Sequence, residues 1–148
     1  MKRQGGLAMQ VKEIMHKGID SIAPDCSVSR AARLMKRRNI GMLPICEKGV
    51  LLGVLTDRDI VTRIVATGAD ANRRTVASAM TGKPVCAYQE AELGAATRRM
   101  EEKRIRRIPV VDRHERLVGM LSIDDLTRRG AGRDLVAEVL ESAAARHA

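Results

Sequence analysis

Thr56 and Asp59 stand three residues apart directly after the apolar run Val50 to Leu55, and Ser122 and Asp125 repeat the pair directly after Leu117 to Leu121. A hydroxyl followed by a carboxylate at the entrance to a helix can serve two ends. It can close the helix on itself as a capping box, the hydroxyl taking a backbone N–H while the acid reaches back to the first residue. It can also meet a nucleotide. The helix-start N–H groups and the hydroxyl suit a phosphate, and the carboxylate can accept from both cis hydroxyls of a ribose. Three features point beyond a cap: Asp is shorter than the Glu or Gln that usually reaches back, Gly53 and Gly119 open the backbone before each hydroxyl, and the arrangement occurs twice.

Other chemistries find little support. Cys26, Cys46 and Cys86 form no C-x-x-C pair, and His16, His114 and His147 have no ligand spacing to them or to each other, so neither a metal site nor a disulfide framework is expected. The cysteines read as free, partly buried thiols. No Ser-His-Asp, Cys-His or paired-carboxylate set appears, and the chain is expected not to be an enzyme.

The elements that position these groups follow from composition and periodicity. The chain has 148 residues, 45% hydrophobic and 30% charged, with Tyr88 as its single aromatic, so a core must come from Val, Ile, Leu, Met and Ala. The lack of aromatic faces removes the stacking platforms on which single-stranded nucleic-acid recognition leans. No apolar run approaches bilayer length and no hydrophobic leader follows Met1-Lys2-Arg3, so the expectation is a soluble, cytoplasmic protein without membrane contact. A formal charge of +9 attracts anions without choosing among them.

An internal repeat organises the chain. Val11 to Met15 recurs as Val76 to Met80, Arg33-Leu-Met35 as Arg98-Arg-Met100, and Asn39-Ile-Gly-Met-Leu-Pro44 as Arg104-Ile-Arg-Arg-Ile-Pro109, each 65 positions on. After one inserted loop residue, Leu52 to Ile60 matches Val118 to Leu126. Ser27 to Arg38 has the pattern of an amphipathic helix with Ser27 as N-cap, and Glu90 to Lys103 repeats it. Met42 to Cys46 and Val50 to Thr56 read as a hairpin around Glu47-Lys48-Gly49, repeated by Ile108 to Val111 and Leu117 to Ser122; second helices begin near Asp57 and Ile123. The fold class is α+β: two strand-helix-strand-strand-helix units, expected to pack about a pseudo-twofold axis. The expected organisation is an extension at 1–8, repeats at 9–72 and 73–129, and a helical tail at 130–148 whose Leu135, Val136, Val139, Leu140 and Ala143 form an apolar stripe.

This element order, the Asn-Ile-Gly-x-x-Pro strand and above all Gly-x-Leu-Thr-Asp-Arg-Asp-Ile at Gly53 to Ile60 closely resemble the CBS domain, named for cystathionine β-synthase. Two in tandem look like a Bateman module, the adenine-nucleotide sensor of inosine monophosphate dehydrogenase and of the gamma subunit of AMP-activated kinase. The resemblance implies a non-enzymatic regulatory module that binds an adenosine ligand between its repeats and signals to a partner protein. AMP is the foremost candidate, with ATP, ADP, NAD or S-adenosylmethionine as alternatives and no obligatory cofactor. It also implies pairing into a homodimer. Carried over by position, one site joins Thr56 and Asp59 to Arg106, Arg107 and Pro109 and to Val85, Cys86 and Ala87. The other joins Ser122 and Asp125 to Gly41, Met42 and Pro44 and to Asp20, Ser21 and Ile22.

The two sites differ in sequence. Arg106 and Arg107 supply forked donors for phosphate where the other site has Gly41 and Met42. Ile123 and Asp124 replace Asp57 and Arg58, and Asp20 is expected to repel phosphate from the second site. The first site should therefore prefer a charged nucleotide. The alternative reading is a basic nucleic-acid-binding protein, drawn from the clusters at Lys36 to Arg38, Arg73-Arg74, Arg98-Arg99, Arg104 to Arg107 and Arg128-Arg129. Those charges are spread over helices and linkers rather than gathered on one recognition element.

Overall fold

Three buried side chains at helical spacing, Val28, Ala31 and Met35, define one face of α2 (Val28–Arg38). Ser27 caps it, its hydroxyl accepting the Arg30 N–H at 3.1 Å. Lys36, Arg37 and Arg38 sit in its last turn, where cations complement the helix dipole, and Asn39 ends it in a left-handed conformation at φ 54°. The second copy repeats the design in α5 (Leu93–Lys103), with Leu93, Ala96 and Met100 buried and Arg104 left-handed at φ 55°. Glu90 does not begin this helix as the periodicity suggests: residues 89–90 form a turn closed by the Ala91 N–H on the Tyr88 carbonyl, which leaves Glu92 as the N-cap.

The chain, a computed structural model, is described over residues 9–128 and at Ala137, Leu140, Glu141, Ala144 and Ala145, which are helical. The N-terminal extension and the apolar stripe of the tail lie outside the described residues, apart from Leu140, which is exposed.

β1 (Met42–Glu47) and β2 (Val50–Thr56) pair antiparallel around Lys48 and Gly49, both at positive φ, the turn geometry that matches strand twist. The short β3 (Thr81–Gly82) adds to β2 through Val54 opposite Thr81 and Gly53 opposite Gly82, and a single parallel bridge from Ile22 to Ile45 adds to β1. The other copy has the same plan. β4 (Ala87–Tyr88) runs parallel to β5 (Arg107–Val111), β6 (Leu117–Ser122) follows, and His16 bridges Met120. The expected first strand of each copy is thus reduced to one or two paired residues.

Two one-turn helices, α1 (Val11–Ile14) and α4 (Val76–Ala79), precede these strands. α3 (Asp57–Ile60) follows β2 and continues into a π-helical turn at Val61–Val65, whereas α6 (Ile123–Arg128) follows β6. By contact the chain divides into two compact units. Among the described residues, one comprises Asp20–Pro84 with Glu115–Leu117; the other comprises Val85–His114 with residues 9–19 and 118–128. Each has its own core, the first built on Val28, Leu43, Ile45, Leu55 and Ile64 with Val76 and Ala79. The second is built on Met100, Ile108, Val110, Leu121 and Leu126 with Val11, Ile14 and Met15. The compact units therefore do not coincide with the sequence repeats: each core contains the opening turn of the other copy.

Candidate functional site

At the junction of β2 and α3, Asp59 does reach back. Its Oδ2 accepts the Thr56 N–H at 2.9 Å while the Thr56 hydroxyl accepts the Asp59 N–H at 3.0 Å, a complete capping box. The short side chain suffices, so its length is not a sign of ligand binding, contrary to the sequence argument. The second copy matches: the Ser122 N–H donates to Asp125 Oδ2 at 3.0 Å and the Asp125 N–H to the Ser122 hydroxyl at 3.3 Å. Here the hydroxyl also donates to Asp125 Oδ2, at 2.9 Å, and Asp125 is buried.

Gly53 and Gly119 have a structural explanation as well. A Cβ on Gly53 would lie 2.6 Å from the Thr81 carbonyl oxygen and 2.9 Å from Met80 Sδ; on Gly119 it would lie 2.7 Å from Met15 Sδ and 2.9 Å from the His16 carbonyl. The glycines admit the backbone and methionine of a neighbouring segment, rather than opening the chain to a ligand.

Within the first unit, Gly41 and Met42 stand beside Thr56 and Asp57, while Pro44 and Ile22 lie further along the sheet, Pro44 opposite Val54. Met42 is opposite Thr56 in the ladder, the Asp57 N–H donates to the Gly41 carbonyl at 3.0 Å, and the Ile22 N–H donates to the Pro44 carbonyl at 3.1 Å. Ser21 is exposed and hydrogen-bonded to the Cys46 thiol, whose pKa is pushed up by burial, against the smaller opposing effect of that bond. Asp20 does not stand as a free negative charge: its Oδ2 lies 2.9 Å from Arg38 Nε, which offsets the expected repulsion of phosphate.

Within the second unit, the Ile123 N–H donates to the Arg106 carbonyl at 3.0 Å, which sets Arg106 beside the start of α6, and β5, which carries Arg107 and Pro109, pairs with β6. Pro109 is buried, whereas Arg106 and Arg107 are exposed and make no ion pair among the described residues. Ala87 is buried opposite Val110 and Val85 packs on the same core; the Cys86 carbonyl accepts from Arg99 Nη1 at 2.8 Å. Ile22 and Ala87 are thus core residues, Ser21 is exposed, and Cys86 is half-buried like Val85. The structure groups the predicted residues of one copy in one unit, Thr56 and Asp59 in the first and Ser122 and Asp125 in the second.

One residue of this neighbourhood was not singled out from sequence. Arg63 Nη1 lies 3.7 Å from Asp59 Oδ1 and donates to the carbonyls of Ala79 and Met80 at 2.9 and 3.1 Å. Its position four residues after an acid on a helix was the available signal. Among the described residues, no three His, Cys, Asp or Glu side chains gather as metal ligands, and no helix is long and apolar enough to cross a membrane.

The CBS domain model matches residues 11–66 and 76–132. The CBS domain-containing protein YhcV of Bacillus subtilis is 38% identical over 116 residues, 78% of this chain and 81% of its own length. Hypoxic response protein 1 of Mycobacterium tuberculosis is 35% identical over 118 residues, 79% of this chain and 82% of its own. The solved structure of that protein, which holds two coordinated zinc ions, superposes with a TM-score of 0.74 at 33% identity, covering 81% of this chain and 98% of that one. Two further CBS-pair structures contain adenosine compounds. That of protein MJ0100, with 5′-methylthioadenosine and S-adenosylmethionine, has a TM-score of 0.70 at 28% identity over 82% of this chain and 95% of its own. That of CBSX2 from Arabidopsis thaliana, with AMP, has a TM-score of 0.70 at 25% identity over 81% of this chain and 94% of its own.

Proposed function

The chain belongs to the CBS-domain family as a tandem pair, and from that premise we propose that it is a non-enzymatic regulatory module that binds an adenosine ligand, AMP foremost, and passes its occupancy to a partner protein. The observation that carries the reading is the Asp59 carboxylate. The capping box orients it through Oδ2, while among the described residues Oδ1 meets only Arg63, at 3.7 Å, beyond hydrogen-bonding distance. A carboxylate has about four lone-pair positions, so an oriented acceptor with spare capacity remains for ribose hydroxyls. Capping and ribose binding are therefore compatible in one side chain.

Two further points support the reading. Arg106 and Arg107, exposed and without an ion pair among the described residues, are suited to a phosphate. AMP and S-adenosylmethionine occur in the CBSX2 and MJ0100 structures. Ser122 and Asp125 make the weaker site in this reading, since the Ser122 hydroxyl proton is already given to the carboxylate.

A thermal-shift panel of AMP, ADP, ATP, NAD and S-adenosylmethionine tests the proposal. A ligand at about a hundred times its Kd adds roughly 2.7 kcal/mol to stability, enough for a clear rise in Tm. If none of the five moves the melting temperature and duplex DNA does so at physiological salt, the basic surface is the functional one and the adenosine reading is wrong.

A further inference from the structure

Resting on the ligand reading above, we infer that Arg63 is a positioning residue through which occupancy of the Asp59 carboxylate is transmitted to residues 79–82. One guanidinium nitrogen, Nη1, serves three acceptors in the same unit and faces a fourth oxygen. It donates to the Ala79 carbonyl at 2.9 Å and the Met80 carbonyl at 3.1 Å, reaches the Thr81 hydroxyl at 3.3 Å, and faces Asp59 Oδ1 at 3.7 Å. The Asp59 side chain is 13% exposed against 46% for Arg63, so the carboxylate is the sheltered member of the pair.

The segment that Arg63 holds has few other ties. α4 is a single turn whose last carbonyls have no intrahelical partners, and β3 pairs with β2 through only two residues. The segment nevertheless sits in tight contact, since the Thr81 carbonyl and Met80 Sδ lie against Gly53. A fraction of the hold on residues 79–82 therefore passes through Arg63. That residue lies in the π-helical turn Val61–Val65, closed by the Ala66 N–H on the Val61 carbonyl at 2.8 Å. Such turns recur at functional sites.

A ribose hydroxyl donating to Asp59 Oδ1 draws on the same negative charge that the guanidinium faces across 3.7 Å. Arg63 then leans on the carbonyls of Ala79 and Met80 and the hydroxyl of Thr81, and the segment tightens. Adenosine occupancy is thereby converted into order in the turn that copy 2 contributes to the core of the first unit.

Amide hydrogen exchange on the whole chain, with and without saturating AMP, reads this directly. In the wild type AMP should slow exchange at Met80, Thr81 and Gly82 by about tenfold, the factor that corresponds to one strengthened charge-assisted bond. 2′-Deoxy-AMP should slow it less. In Arg63→Ala, AMP should still bind but leave exchange at these three amides within about twofold of the ligand-free value; Arg63→Gln serves if the alanine variant does not fold. A merely structural Arg63 would speed basal exchange in the variants yet keep the response to AMP, and that result overturns the inference. So does AMP binding to the wild type without slowed exchange at 80–82, which leaves the ligand reading intact. Absence of AMP binding by calorimetry overturns both.

Discussion

Asp59 performs a structural task whether or not a ligand is present, so its removal must register twice. Asp59→Ala deletes the acid of a capping box and should cost about 1 kcal/mol of ligand-free stability. It should also lower AMP affinity by about ten- to a hundredfold, the worth of one charged hydrogen bond or somewhat more. Calorimetry with AMP and 2′-deoxy-AMP separates the two effects: the wild type should favour AMP and the variant should not discriminate. If the variant melts earlier but keeps the same preference, Asp59 is a cap only. Arg106 and Arg107 have the opposite character, being exposed and without ion pairs among the described residues. Changing both to Ala should leave ligand-free stability within about 0.5 kcal/mol. AMP should then bind no better than adenosine, and the salt dependence of its affinity should vanish with the charges. A double variant that still prefers AMP strongly would locate the phosphate elsewhere, with Arg58 the next residue to change.

At the scale of elements, what the sequence displays depends on how long each element is. α2 runs for three turns, so Val28, Ala31 and Met35 show their spacing, and the hairpin of β1 and β2 is announced by Lys48-Gly49 between two apolar runs. α1 and α4 are single turns of four residues, too short for any periodicity to emerge, although Val11 to Met15 and Val76 to Met80 were visible as a repeated motif. The two-residue strands and the π-helical turn leave no pattern because tertiary contacts, not local preference, decide them. The glycines were legible as a repeated position but misread as to purpose. Gly53 and Gly119 are needed for close approach, and a substitution measures that need. In Gly53→Ala the new methyl meets the Thr81 carbonyl oxygen at 2.6 Å, a backbone atom that cannot rotate away. The expected cost is about 1–3 kcal/mol, as for other overpacked sites. Exchange should accelerate most at Thr81 and Gly82, since relief requires β3 to move off β2. A melting temperature unchanged by Gly53→Ala would mean that the approach is readily relaxed, and would return the glycine to the ligand.

For the whole chain, the repeat reveals two copies but cannot say which core each opening turn joins. The reason is chemical: Met15 lies on Gly119 and Met80 on Gly53, so the same motif fits either glycine and the sequence distinguishes neither. The outcome is that residues 11–15 complete the core around Met100 and Leu121, and residues 76–80 the core around Leu43 and Leu55. A fragment cut at the sequence boundaries, 9–72, therefore carries the wrong turn. It lacks Val76 and Ala79, both fully buried, the β3 strand, and the carbonyls that Arg63 holds. Burial of one valine alone is worth roughly 1.5–3 kcal/mol, and a unit of this size is marginal to begin with. The fragment Asp20–Pro84, of nearly equal length, keeps all of these contacts. Thermal denaturation followed by circular dichroism should show a cooperative transition for 20–84 and a broad, non-cooperative one for 9–72. Adding a peptide of residues 73–84 to 9–72 should restore cooperativity, because it supplies the missing turn and strand. Equal melting of the two fragments without the peptide would mean that each copy can close its core with its own opening turn, and that the exchange seen here is one of two packings of similar stability.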